Sequence, residues 1–170
     1  MAFSEIELIK SLAGLEGYDL NDNELTELLI SDDDNFIQRF HLGFMFMVEN
    51  INEQLSTTYL RVINDIISEN KLFYYSKDLD LEFSVLDEIT DPEVKAAKLL
   101  TYLFNHKYFG DCNEVTAVLF TSAMLIQSRV GVIRIPVNLK NTFYELMNED
   151  EELFVKFISS FCIDRSLFSC

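Results

Sequence analysis

The chain has no tryptophan, only two prolines and five glycines, and just two histidines in 170 residues. So few chain breakers argue against disorder and against a long linker. Basic residues are scarce as well: 13 Lys and Arg stand against 29 Asp and Glu, a formal net charge of −16. Such a surface repels polyphosphates and anionic bilayers, which excludes nucleic acid and a membrane surface as expected partners. The acidic runs at Asp32–Asp34 and Glu149–Glu152 read as helix starts or solvated loops, and a basic protein patch is the partner that could still read them. The three cysteines, Cys112, Cys162 and Cys170, are odd in number and lack CxxC spacing, so neither a disulfide framework nor a zinc site is suggested. No run reaches the ~20 apolar residues of a membrane span, and acidic residues break the N-terminal stretch where a secretory signal would be apolar. A reducing cytoplasm is the expected compartment, that of a bacterium or that of a host cell receiving a secreted effector.

What the chain does have is apolar material, 49% hydrophobic residues with 15 Phe, enough for one domain over 1–170 with a real core. Its spacing is mostly helical. Ser4 with Glu7 and Asn21 with Glu24 read as capping boxes, the first helix being interrupted by Gly14 and Gly17. Phe36, Phe40, Phe44, Met47, Val48 and Ile51 form a stripe, and His41 beside it reads as a packed or surface residue. Ser56 or Thr57 opens a helix with Leu60, Ile63, Ile66 and Ile67 inward, and Thr90 or Asp91 before Pro92 opens another. Only Leu79–Val85, "LDLEFSV", alternates with period two, so a β-hairpin over 72–86 is expected, with Leu79, Leu81 and Phe83 on its inner face. The fold class is mainly α, about seven helices with one small hairpin.

Between two apolar helical segments lies "FNHKYFGDCNEVTAVLF", Phe104–Phe120, polar and irregular, followed by "VIRIPVN" as a short extended link. Asn113 reads as the cap of the second helix. A loop ending at a helix N-terminus suits an anion, because free N–H groups and the positive dipole end converge there.

In register from Phe109, "FGDCNEVTAV" resembles the FxDGNGRxxR part of the motif HxFx[DE]GNGRxxR of the Fic/Doc family, matching at Phe109, Asp111 and Asn113. The diffuse similarity around it runs from about Asn21 to Phe161. The resemblance implies a Fic-like helical bundle, with the motif helix–loop–helix at 92–130 and the hairpin serving as a flap that pairs with a target's backbone. It also implies transfer of a nucleotide monophosphate, or another phosphate-containing group, to protein hydroxyls, with Mg2+ and ATP as cofactors. Carried over, Asp111 is the metal ligand, Asn113 and the Gly110 loop bind oxygens, and Phe109 anchors the loop. The family's histidine position is Lys107, so His106 is a base displaced by one. Cys112 and Glu114 replace the motif glycines, and Val115 and Val118 replace both arginines. "SLAGLEGYDL", within an inhibitory-type helix at 1–20, resembles [ST]xxxE[GN] with Glu16 as the inhibitory glutamate. There the Ser or Thr position is Leu12, Ser11 is displaced by one, and the arginine partner is Val118.

Losing both guanidinium groups and gaining Glu114 beside the phosphates turns attraction into repulsion, of order 4 kcal/mol per charge pair at ~4 Å in an effective dielectric near 20. The leading expectation is therefore a degenerate Fic-like domain that needs no cofactor and works through a protein partner, with a homo-oligomer or a small antitoxin-like protein included. An active transferase using His106 and Asp111 with Mg2+ and ATP is the first alternative. An acidic helical adaptor or secretion chaperone is the second.

Overall fold

A run that is apolar on every side must be enclosed by the rest of the chain, and "VTAVLFTSAMLI" is such a run. In a computed structural model, which describes residues 3–163 with side chains from Glu5 onward, it forms the middle of α7 (Asn113–Gln127), buried throughout from Val115 to Ile126. The side chain of Ser4 and all of Cys170 lie outside the described residues. Packed around α7 are α1 (Phe3–Leu15), α3 (Phe36–Glu49), α4 (Thr57–Ile67) and α6 (Pro92–His106). Outside these, α2 (Asp22–Ile30) leans on α1 and α3, and α5 (Lys77–Leu86) on α6. The last two helices, α8 (Lys140–Glu149) and α9 (Glu151–Ser160), pack on each other and on α6. A minimal antiparallel pair, β1 (Val132–Ile133) with β2 (Cys162–Ile163), joins the link after α7 to the segment after α9.

Most helix starts follow the local chemistry. Asn21 and Glu24 form the full capping box, Ser56 caps α4, and Asp91 caps α6 with Pro92 at its first turn. Each such cap contributes about 1 kcal/mol. The link after β1 is held by Ser11, buried in α1, whose Oγ donates to the Ile135 carbonyl (2.7 Å) and accepts from the Ile135 N–H (2.8 Å). Gly14 does not interrupt α1, which runs on to Leu15 and ends before Gly17, whose φ of +92° suits glycine.

The expected hairpin is not formed. Residues Leu79 to Val85 belong to α5, so the helices number nine among the described residues rather than about seven. The reason is a second reading of the same letters: Leu79, Phe83 and Leu86 sit at i, i+4 and i+7, and the Ser76 hydroxyl accepts from the Asp78 N–H at the start. Leu79 and Leu86 are buried and Phe83 stacks on Phe120 with ring centroids 5.4 Å apart, while Leu81 is 65% exposed. A helix thus splits Leu81 from the face that a strand would have given it.

Close approach of α3 to α4 and α7 depends on Gly43, where an added Cβ would fall inside contact distance of the Ile67 Cγ2 methyl and 3.3 Å from Leu119 Cδ1. Gly43→Ala is expected to destabilise by about 1–3 kcal/mol through overpacking, read as a lower midpoint of thermal unfolding. A midpoint that rises, as higher helix propensity alone would give, would contradict this packing. No helix among the described residues is long and apolar enough to cross a membrane.

Candidate functional site

The polar knot begins where α6 stops. Lys107 takes the left-handed conformation (φ 46°), Tyr108 and Phe109 turn inward, and Cys112, also left-handed (φ 51°), starts α7. Residues 72–74 lie alongside as a single antiparallel bridge, Phe73 opposite Phe109. Tyr74 N–H donates to the Tyr108 carbonyl (2.7 Å), Gly110 N–H to the Leu72 carbonyl (3.1 Å), and the Phe73 and Phe109 rings stack at 5.2 Å. The segment expected to pair with a target thus pairs with the loop itself. A Cβ at Gly110 would meet the amide end of the exposed Asn70 side chain, which would have to turn aside.

Asn113 is not the helix cap but the first helical residue, and its amide turns back on the loop. Its Oδ1 accepts from Phe109 N–H and its Nδ2 donates to the Phe109 carbonyl, both at 2.9 Å. Asp111 is similarly occupied, its carboxylate accepting from the Ser68 hydroxyl and from Asn70 N–H (3.3 Å). Beneath them Asn64, 1% exposed, donates to the Asp111 carbonyl (3.0 Å) and to Thr116 Oγ1 (2.9 Å). Sequence reasoning missed Asn64; the available signal was an amide set beside Leu60, Ile63 and Ile67 on an otherwise apolar stripe.

His106 sits at the exposed end of α6, its Nδ1 2.8 Å from the Tyr102 carbonyl and its ring against Tyr102 and Tyr108. It lines a 330 Å³ groove with Glu82 of α5, Met147 of α8 and Glu151 of α9. Asp111 lines a different hollow of the same size, with Glu16, Arg39, Glu69 and Cys112. The displaced base and the expected metal ligand therefore open onto different hollows. His41, the other histidine, is half-buried with Nε2 2.7 Å from Glu5 Oε1.

Glu16, one residue beyond α1, reaches the start of α7. Its Oε1 is buried with no hydrogen-bond partner among the described residues. Burial, then Glu114 and Asp111, push its carboxyl up to about 7, opposed by the Val115 N–H and by Lys140. Val115 and Val118, which the motif resemblance would set at arginine positions, are 0% and 1% exposed. Arg39, which lines Asp111's hollow, is bound to Asp34 (3.0 Å) and Glu69 (2.6 Å). Burial, then Glu16 and Asp111, push the Cys112 thiol up to about 12, which favours its protonated form.

No protein-family model and no curated protein sequence matches the chain. Among solved structures, it is similar to a Fic domain containing signaling protein from Bacteroides thetaiotaomicron, with 16% identity and a TM-score of 0.71 over 96% of this chain and 84% of that one. It is also similar to Fic-1 from C. elegans, again 16% identical with a TM-score of 0.71, over 95% of this chain but 61% of that one. A variant of the latter aligns at 14% identity and a TM-score of 0.70. The loop between α6 and α7, with the helices that frame it, therefore stands on a Fic-domain fold.

Proposed function

We propose that the chain is a degenerate Fic-type scaffold that has given up nucleotide transfer and acts by contact with another protein. The observation behind this reading is the state of the helix start. An anion-binding loop works by presenting unpaired N–H groups and side-chain donors to phosphate oxygens. Here the Asn113 amide is closed on Phe109, Gly110 N–H is given to Leu72, and the Glu16 carboxyl sits against the start of α7. The resemblance implies magnesium and ATP, and the donor set does not fit them: Asp111's carboxylate is engaged by Ser68 and Asn70, and Glu114 and Asp111 lie close enough to Glu16 to raise its carboxyl at the start of α7.

The contact surface is suggested by where apolar area is left in water. Of nine exposed large hydrophobic side chains among the described residues, five lie between 72 and 85: Leu72, Tyr74, Tyr75, Leu81 and Val85. Such concentration is uncommon on a surface with no partner. Calorimetric titration with ATP and magnesium is expected to give no saturable heat. Micromolar binding lost in Asp111→Ala would overturn the reading, and so would a labelled nucleotide adduct on any protein that disappears in His106→Ala.

A further inference from the structure

The groove beneath His106 belongs to none of the chemistry above, and its walls select a ligand. Its floor is apolar, formed by Ala97 of α6, Met147 of α8 and Phe154 of α9, and its rim carries Glu82 and Glu151 on opposite helices. Lys98, Thr101, Tyr102, Asn105 and His106 of α6 complete the lining. With His106 Nδ1 2.8 Å from the Tyr102 carbonyl, which can only accept, Nδ1 carries a proton and donates, and in the neutral ring Nε2 is then a hydrogen-bond acceptor. An apolar floor under three acceptors suits a long aliphatic stem ending in a cation.

We propose that this groove holds an arginine side chain of a protein partner, with its methylenes on Met147 and Phe154 and its guanidinium shared by Glu82, Glu151 and His106 Nε2. The inference rests on the reading that the chain works through protein contacts. Arginine is preferred to lysine because its planar fork presents five donors to acceptors on more than one side and gives up its water more easily. Charge complementarity extends beyond the groove, since Glu149, Asp150 and Glu152 flank Glu151 and Asp78 precedes Glu82 on α5. One cation opposes entry: Lys98 Nζ lies 3.3 Å from Glu151 Oε1 and competes for that carboxylate.

The experiment is a titration of the whole protein with a short blocked peptide of alternating leucine and arginine, followed by the methyl resonances of its methionines. The Met147 methyl is expected to shift. A citrulline version of the peptide, neutral and of the same shape, is expected to bind about tenfold more weakly, a difference near 1.4 kcal/mol. Glu82→Gln and Glu151→Gln should each weaken binding roughly two- to fivefold, as partly exposed charge pairs do. Lys98→Gln should tighten it about twofold, a gain that a merely structural role would not produce. Equal affinity for the citrulline peptide, a lysine peptide bound as tightly, no binding at millimolar peptide, or shifts at other methionines with Met147 unmoved would each overturn the assignment. Nucleotide calorimetry stays separate, so a chain that bound ATP would refute the proposed function without deciding the groove.

Discussion

Phe143→Ala is expected to cost about 4 kcal/mol of stability, a large share of what holds a domain of this size folded. Phe143 is fully buried at the junction of three helices, with its ring edge-on to Phe104 and Phe154 at 5.4 Å and against Tyr144 and Phe157 at 5.5 and 6.1 Å. Removing a ring leaves a cavity that such neighbours cannot collapse into, and Phe→Ala changes in cores cost roughly 3–5 kcal/mol. Edge-to-face pairs add about 0.5–1.5 kcal/mol beyond area. Urea unfolding with an unchanged slope would read the loss as a shifted midpoint. A loss below about 2 kcal/mol, under the usual range for such a truncation, would mean that α8 and α9 are not seated on this ring. Phe154 and Met147 wall the His106 groove from those same two helices, so the variant should also loosen arginine-peptide binding.

The second prediction concerns acidity. The Glu16 carboxyl titrates near 7 when folded against an ordinary 4.5, because burial and then Glu114 and Asp111 disfavour its charge. A raised carboxyl means that the folded state binds the proton more tightly than the unfolded chain. Its contribution is therefore fully present below about pH 4.5 and is lost as pH rises through 7. Full linkage would be about 3 kcal/mol, and screening at a carboxyl that is partly exposed leaves about 2 kcal/mol. Other titratable groups face the same place: Lys140 and Tyr144 from α8, Cys112 and Glu114 at the start of α7, and Arg39 and Glu69 across the hollow. Stability of the native chain should fall between about pH 5 and pH 8, and Glu16→Gln should flatten most of that slope. A stability that climbs over this interval, or a slope unchanged in the glutamine variant, would remove Glu16 from its assigned position.

What could be read from the residues follows from how local each signal is. The Asn21 capping box, the proline at the start of α6 and the stripes of Leu60, Ile63 and Phe40 are decided within one or two turns, and they stand in the structure. The α5 segment misleads because "LDLEFSV" satisfies period two and, through Leu79, Phe83 and Leu86, period 3.6 as well. Only the Ser76 cap breaks that tie. At the site, the spacing of Phe109, Asp111 and Asn113 pointed to the loop between α6 and α7, and the fold of the chain is similar to that of Fic domain structures. Their partners were not legible, because Ser68, Asn70 and Leu72 come from another part of the chain and are brought in by α4 and the segment after it. The opening of His106 and Asp111 onto separate hollows could not be read either, since the short loop between them gives no direction.

The ties on α1 bear on how this protein could be regulated. Ser11 joins residues 124 positions apart, Lys140 Nζ donates to the Gly14 and Leu15 carbonyls at 2.9 and 2.8 Å, and Glu7 meets Arg134 at 3.2 Å. These contacts tie the first helix to the segment between Arg134 and Lys140, so moving it aside would break all of them at once. Cutting it away would expose Leu8, Ile9 and Leu12 together with the face of α7 beneath them, so truncation should yield an aggregate and not a released enzyme.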